Sequence, residues 1–181
     1  MTWCLVGSEM CIRDRSHLIE NNLIEDAVIS QSDHQNKELW EIRENANIAQ
    51  MQEGFQLKLD LSIPIENMSK FWIETSEELK KKHTDVKICS FGHLGDGNLH
   101  YNLMDEDKSK GYVYNNQTAL KELVYKKIKK FNGSFSAEHG LGQLKIEELE
   151  KYKDQNLLNL MRKIKNSVDP KNLLNPGKLF S

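Results

Sequence analysis

The sequence has few cysteines and no long apolar run, and each shortage excludes a class of protein. Its three cysteines, Cys4, Cys11 and Cys89, make an odd number without paired spacing. That is not the pattern of a disulfide-stabilised domain or of a CxxC zinc site. No apolar stretch approaches the roughly 18 residues that a transmembrane helix needs. We therefore expect no membrane-spanning segment and a reducing location, either the bacterial cytoplasm or a mitochondrion.

An excess of charge of either sign is also absent. The 181 residues carry 25 Lys and Arg against 27 Asp and Glu, a formal net charge of −2. Such a chain has no general positive field with which to attract nucleic acid. The length suits one large domain or two small ones, and we expect no nucleic-acid partner.

Residues 1–15, MTWCLVGSEMCIRDR, differ in character from the rest of the chain. They hold two of the three cysteines and lack the positive region followed by an apolar region that defines a signal peptide. They resemble a translated sequencing adapter. We therefore expect this segment to be foreign to the natural protein, whose reading frame would begin further upstream, and we expect a single domain over residues 16–181.

From residue 16 onwards, helical and strand patterns are mixed. Apolar residues at three- and four-residue steps predict helices, and alternation of apolar and polar residues predicts strands. The predicted elements are a helix at 36–52, a strand at 55–63, a helix at 66–82, a strand–turn–strand at 86–104, and helices at 118–130 and, in two parts, 146–168. This order predicts an α+β fold, a mostly antiparallel sheet with helices on one face.

The segment SFGHLGDGNLHYN predicts a β-hairpin that carries two histidines. Asp96-Gly97 is a strong signal for a tight turn. A turn centred between them would place His93 directly opposite His100, with Cβ atoms about 4.5–5.5 Å apart, close enough for both imidazoles to bind one metal ion. Asn102 would project from the same face. Two ordinary histidines in a glycine-rich loop fit the pattern equally well.

A second segment, SAEHGLG, offers a carboxylate and another imidazole. Glu138 and His139 lie there among small residues. Two histidines and one carboxylate suit a borderline divalent ion and leave coordination positions open for a substrate. The alternative is that Glu138 caps a helix beginning near Gln143 and that His139 is merely solvated.

Three segments together carry a family resemblance: GHLGDGNLHYN, SAEHGLGQLK and DPKNLLNPGKLF. Over residues 36–181 the chain resembles the C-terminal half of FAD-linked D-2-hydroxy-acid dehydrogenases of the vanillyl-alcohol-oxidase type. Within that family the D-2-hydroxyglutarate and D-lactate dehydrogenases look most similar. The resemblance implies a ferredoxin-like cap domain and the oxidation of a D-2-hydroxy acid to a 2-oxo acid, with FAD and a divalent metal, zinc or manganese, as cofactors.

The resemblance also implies a role for individual residues. The implied metal ligands are His93, His100 and Glu138, the catalytic base is His139, the substrate-binding residues are Arg43, Asn47, Lys58 and Asn102, and the residues near the flavin are Asn175 and Lys178. Asn47 stands where 2-hydroxyglutarate enzymes tend to have threonine, which leaves the substrate open. Simpler alternatives are an ion-paired Arg43 on a solvated helix face, an exposed Lys58 on a polar strand face, and a structural tail whose leucines fill a core.

The sequence contains no glycine-rich phosphate-binding loop of the GxGxxG type. We therefore expect the flavin domain to precede this chain, in the same or a partner polypeptide, and the chain alone to be inactive.

The implied electron acceptor is an electron-transfer flavoprotein or a quinone, and a homodimer is possible. Two other functions fit the same residues: a stand-alone metallohydrolase, and a subunit of a split flavoenzyme.

Overall fold

A computed structural model describes residues 16–108 and 110–180, without the side chain of Asn47. The predicted foreign segment, residues 1–15, lies outside the described residues. The chain divides into two compact units, one ending at Glu53 and the other running over Gly54–Ser181.

The first unit is helical. Helix α1 spans Asp33–Glu44 and helix α2 spans Ala46–Met51, after a short helical stretch at 16–20. Helix α1 begins where the side chain of Ser32 accepts a hydrogen bond from the N–H of Gln35 at 3.2 Å, a standard N-cap arrangement. The predicted helix at 36–52 is therefore confirmed, although it is interrupted at Asn45.

The second unit contains a four-stranded antiparallel sheet. Its strands are β1, Gln56–Leu57; β2, Asp60–Ser62; β3, Val86–His93; and β4, Asn98–Asp105. Strand β4 is central, with β3 on one edge and both β1 and β2 on the other. The predicted strand at 55–63 is thus confirmed as two short strands in one continuous register, and the predicted α+β class with an antiparallel sheet is confirmed.

Five helices complete the second unit. They are α3, Ile65–Lys82; α4, Tyr112–Asn115; α5, Gln117–Lys130; α6, Ile146–Tyr152; and α7, Gln155–Val168. Helix α3 packs on the sheet, where the ring of Phe71 lies 6.0 Å from that of Tyr101. The hydroxyl of Tyr101 hydrogen-bonds that of Ser76 at 2.8 Å, and burial raises the pKa of Tyr101 to about 12. No helix in the described part of the chain is long and apolar enough to cross a membrane.

The two faces of the sheet differ in chemistry because side chains alternate along each strand. Leu59 and Leu61 lie opposite Tyr101 and Leu99 and belong to the buried core. Full burial of each leucine contributes about 1.5–3 kcal/mol to stability. The intervening residues project to the opposite side, which we call the site face. It carries Lys58 and Asp60 from the first edge, Asn98, His100 and Asn102 from β4, and Phe91 and His93 from β3.

The hairpin turn is longer than the sequence predicts. A 3-10 helix spans Leu94–Asp96, and Gly97 follows it in the left-handed conformation. Because this loop has four residues rather than two, the register moves by two positions: His93 lies opposite Asn98, and His100 lies opposite Phe91. The predicted direct opposition of His93 and His100 is therefore wrong. A shift of two residues preserves the face, so both imidazoles still project from the same side.

Two glycines make this hairpin possible. A Cβ atom at Gly92 would lie 2.2 Å from the carbonyl oxygen of Asn98, and one at Gly97 would lie 2.5 Å from that of Ile63. Gly97 also has φ +67°, which disfavours any residue with a Cβ atom. Close backbone approach therefore requires glycine at both positions.

Candidate metal centre

The three predicted metal ligands converge at the turn end of the site face. Nε2 of His93 lies 3.6 Å from Oε1 of Glu138, and Nε2 of His100 lies 3.9 Å from Oε2 of the same carboxylate. The ring centroids of the two histidines are 6.2 Å apart. One ligand atom from each of the three residues lies within 4.8 Å of the others. Residues distant in the sequence thus form one cluster.

The dimensions of this cluster fit a divalent ion. Nitrogen and oxygen ligands about 2.1 Å from a tetrahedral ion lie about 3.4 Å from one another, slightly less than the distances that separate Glu138 from the two histidines. The side chains of His93 and Glu138 remain about half exposed, so a substrate can reach the cluster from solvent. The residues can therefore hold an ion with positions open to a ligand.

Asp60, which alternates with apolar residues in the sequence as an exposed strand residue would, is a central member of the site. It is 4% exposed and lies directly opposite His100 across β2 and β4. Its Oδ2 accepts hydrogen bonds from the backbone N–H groups of Ala137, Glu138 and His139, each at 3.0 Å. Burial raises the pKa of the Asp60 carboxyl, but the three hydrogen bonds outweigh burial and leave that pKa below its usual value.

Asn98 is a second residue that the sequence analysis does not single out. It is buried and lies opposite His93 in the hairpin. Its Nδ2 donates a hydrogen bond to Oε1 of Glu138 at 2.5 Å. Only the tertiary structure shows the roles of Asp60 and Asn98. The sequence offers one signal: Asn98 is two residues from His100, and Asp60 is two residues from Lys58, so strand alternation places each on the same face as a predicted site residue.

His139 lies beside the cluster with its side chain 68% exposed. Its ring stacks on that of His100 with centroids 6.1 Å apart and planes 25° apart, and its Nδ1 is 3.8 Å from Oδ2 of Asp60. Asp60, Glu138 and His139 form a second group able to hold a metal ion. Burial lowers the pKa of His100, against the opposing charges of Glu138 and Asp60, which favours the neutral imidazole that metal binding requires.

The alternative reading of Glu138 as a helix cap is wrong. Helix α6 begins at Ile146, and its N-cap residue is Lys145. The amine of Lys145 donates to the carbonyl oxygen of Phe135 at 2.9 Å, and burial lowers the pKa of that amine. Glu138 instead faces the two histidines.

The predicted substrate-binding residues fall in both units. In the second, the register that joins Gln56 to Met104 and Asp60 to His100 sets Lys58 opposite Asn102 on the site face. Lys58 is exposed, whereas Asn102 is 3% exposed. In the first unit, Arg43 lies in the last turn of α1, and Asn47 lies in α2 with its side chain outside the described part. The substrate-binding roles of all four stay predictions.

The C-terminal tail carries the two residues predicted to lie near the flavin. Asn175 and Lys178 line a hollow of about 360 Å³ together with apolar side chains that include Ile164 of α7. Leu173 and Leu174 are 72% and 62% exposed, so the alternative of a tail whose leucines fill a core does not hold for these two. Proximity of the tail to a flavin stays a prediction.

Comparison with known proteins assigns the chain to a family. Residues 11–179 match the family described as FAD linked oxidases, C-terminal domain, and the chain belongs to this family. It is 39% identical over 163 residues to a D-2-hydroxyglutarate dehydrogenase of Xanthomonas citri pv. viticola. It is 35% identical over 165 residues to the mitochondrial D-2-hydroxyglutarate dehydrogenase of Bos taurus. It is 32% identical over 170 residues to a mitochondrial protein of Schizosaccharomyces pombe named as a D-lactate dehydrogenase.

These alignments cover most of this chain but a minor part of each relative. They include 90%, 90% and 89% of the chain and 34%, 29% and 32% of the three relatives, respectively. The chain thus spans about a third of the length of the curated relatives that it matches. The relatives include bacterial and mitochondrial proteins, and the family name itself implies FAD.

Proposed function

We propose that the protein containing this chain oxidises a D-2-hydroxy acid, of the 2-hydroxyglutarate or lactate type, to the 2-oxo acid. The chain provides the substrate- and metal-binding part, and FAD is the hydride acceptor. The observation that carries this proposal is the convergence of His93, His100 and Glu138, with His139 beside them. Membership of the FAD-linked oxidase family supports the reaction class.

The donor set supports zinc or manganese held by His93, His100 and Glu138, because imidazole and carboxylate suit such ions. Bound there, a divalent ion would supply the positive charge that acidifies the substrate hydroxyl, and the flavin would supply the hydride acceptor. The exposed edge of the cluster, formed by His93 and Glu138, gives the substrate its access.

His139 is the proposed general base. Its Nδ1 lies on the side of Asp60, which leaves Nε2 to take the proton of the substrate hydroxyl. An exposed imidazole is suited to this role because its ring nitrogen can accept a proton and later release it. The hydrogen bond from the backbone N–H of His139 to Asp60 fixes the backbone from which the ring projects.

The substrate carboxylates are the proposed ligands of Lys58, Asn102, Arg43 and Asn47. Lys58 supplies an exposed positive charge on the site face opposite Asn102, and an arginine suits bidentate binding of a carboxylate. Asn175 and Lys178 are the proposed contacts to the flavin. The flavin domain itself, and an electron-transfer flavoprotein or quinone as acceptor, complete the proposed partners.

The test is turnover by the product of the whole reading frame that contains this chain. The purified protein is assayed for reduction of an artificial dye acceptor with D-2-hydroxyglutarate, D-lactate and their L enantiomers. We expect dye reduction with a D substrate only, and loss of at least about a hundredfold in His139→Gln, the range assigned to a positioned general base. A flavin-bound protein that reduces the dye with none of these acids would contradict the proposal. Ester hydrolysis by such a protein would favour a metallohydrolase.

A further inference from the structure

Asp60 has two carboxylate oxygens with different surroundings. Oδ2 accepts three hydrogen bonds from the successive N–H groups of residues 137–139. Oδ1 is buried and has no hydrogen-bond partner among the described residues. Nδ1 of His100 lies 3.9 Å from Oδ1. A buried acceptor without a donor is costly, so this unpaired oxygen calls for an explanation.

The three N–H bonds tie a distant loop to the sheet. The loop carries Glu138 and His139, and Asp60 lies in β2 directly opposite His100. A single oxygen that accepts from three consecutive amides fixes both the distance and the orientation of that backbone. The backbone of Glu138 is therefore held at a set position relative to His100.

The unpaired oxygen bears on the tautomer of His100. Nε2 of His100 faces Glu138, so Nε2 is the nitrogen that would bind an ion and must carry no proton. The proton of the neutral ring then lies on Nδ1, which faces Asp60. Because a carboxylate only accepts hydrogen bonds, Asp60 favours this tautomer, as carboxylates do behind many metal-binding histidines.

The geometry points to Asp60 as the positioning residue of this site, which holds Glu138 and His139 in place through Oδ2 and sets the metal-binding tautomer of His100 through Oδ1. This inference rests on the proposed function only for its metal. The hold on the loop is a property of the metal-free chain. Without metal, the tautomer of His100 depends on the balance between Asp60 at Nδ1 and Glu138 at Nε2, each 3.9 Å away, so a change at Asp60 alters it.

Two substitutions separate these two effects. Asp60→Asn keeps one oxygen that can accept the hydrogen bonds from the three backbone N–H groups. It also turns an NH₂ group towards Nδ1 of His100, which favours the tautomer with its proton on Nε2. Asp60→Ala removes both effects. Asp105→Asn is the matched control, because Asp105 is also a buried aspartate of the sheet whose carboxylate accepts a backbone N–H, that of Val113, at the far end of β4.

Three measurements on the 181-residue chain test the inference. Hydrogen exchange reports the amides of residues 137–139, ring ¹⁵N chemical shifts report the tautomer of His100, and a Co²⁺ titration followed by visible absorption reports metal affinity. We expect Asp60→Ala to speed exchange of the three amides about tenfold or more. We expect Asp60→Asn to preserve their protection, move the His100 proton to Nε2 and weaken Co²⁺ binding by about 10–100-fold.

Two results would overturn the inference: unchanged protection of the three amides in Asp60→Ala, or an unchanged His100 tautomer in Asp60→Asn. Equal effects in Asp105→Asn would also overturn it, since they would show a general loss of structure. If the unsubstituted chain binds no Co²⁺, the metal part of the proposed function fails. The amide and tautomer measurements still decide the role of Asp60.

Discussion

The side-chain amide of Asn98 donates a hydrogen bond to the carboxylate of Glu138 at 2.5 Å. Asn98 begins β4, and Glu138 lies 40 residues further along the chain. The bond therefore joins the hairpin that carries both proposed ligand histidines to the loop that carries the proposed ligand carboxylate. It leaves Oε2 of Glu138 on the side of His100.

Asn98→Ala tests the importance of this bond. Its removal frees the carboxylate of Glu138 to rotate, and we expect Zn²⁺ affinity to fall by about tenfold, at the lower end of the range for residues that orient metal ligands. Isothermal titration of the 181-residue chain gives the affinity. Asn116→Ala is the control, because the amide of Asn116 donates to a carbonyl oxygen of its own helical segment. Equal affinities for the two variants would show that Asn98 does not orient Glu138.

Removal of a ligand histidine should have a larger effect. We expect His93→Ala and His100→Ala each to reduce Zn²⁺ affinity by at least about a hundredfold, since each deletes one of the three proposed protein ligands. His34→Ala is the matched control, because His34 is exposed and pairs with Glu38 within α1. Isothermal titration of the three variants makes the comparison. Retention of full affinity in both ligand variants would place any ion elsewhere.

The hairpin predicts a contrast between two neighbouring glycines. In Gly92→Ala the new Cβ atom would meet the carbonyl oxygen of Asn98 at 2.2 Å, whereas in Gly95→Ala it would meet nothing within 4 Å. We expect the first to lower the free energy of unfolding by about 1–3 kcal/mol and the second to leave it nearly unchanged. Urea unfolding followed by circular dichroism measures both. A Gly95→Ala loss as large as that of Gly92→Ala would contradict the register.

The acid stability of the fold should depend on Glu78. Hydrogen bonds from Lys127 and Lys82 lower the pKa of Glu78 from its usual 4.5 to about 2. A carboxyl whose pKa is lower in the folded state stabilises the fold above its unfolded pKa, and that contribution is lost as the pH falls towards 2. Because the Glu78 side chain is partly exposed, we expect this contribution to the free energy of unfolding to be only about 1 kcal/mol.

In Glu78→Gln the free energy of unfolding should therefore change less between pH 5 and pH 2 than in the unsubstituted chain. Urea titrations at several pH values measure the difference. Glu77→Gln, at the adjacent exposed position, serves as the control. Identical pH profiles for Glu78→Gln and Glu77→Gln would show that the two lysines do not stabilise the ionised carboxylate.

The sequence predicts the elements of the second unit well because its apolar periodicity is regular. The helices at 66–82 and 118–130 are observed at Ile65–Lys82 and Gln117–Lys130. The register of the hairpin could not be predicted in the same way. Asp96-Gly97 indicates a turn, but whether that turn has two or four residues depends on the contact of Gly97 with the backbone of Ile63, which lies in another part of the sequence.

The residues of the candidate site, likewise, are only partly predictable from local sequence patterns. His93 and His100 are close in the sequence, and strand alternation alone predicts that they share a face. Asp60 is a charged residue that alternates with apolar neighbours, as an exposed strand residue does. It is buried because residues 137–139 fold back over the sheet and donate hydrogen bonds to it. Its role therefore depends on a contact between segments 77 residues apart, which no local pattern records.

Asp60 and Asn98 hold the loop that carries Glu138 through hydrogen bonds, and this has a consequence for metal exchange. Small zinc domains draw their folding free energy from the ion, and a chelator unfolds them. Here hydrogen bonds within the protein hold the loop against a sheet with its own apolar core. We therefore expect a chelator to remove an ion bound at the proposed site and to leave a folded protein that can bind metal again. Cellular supply as well as ligand chemistry would then decide which divalent ion is incorporated.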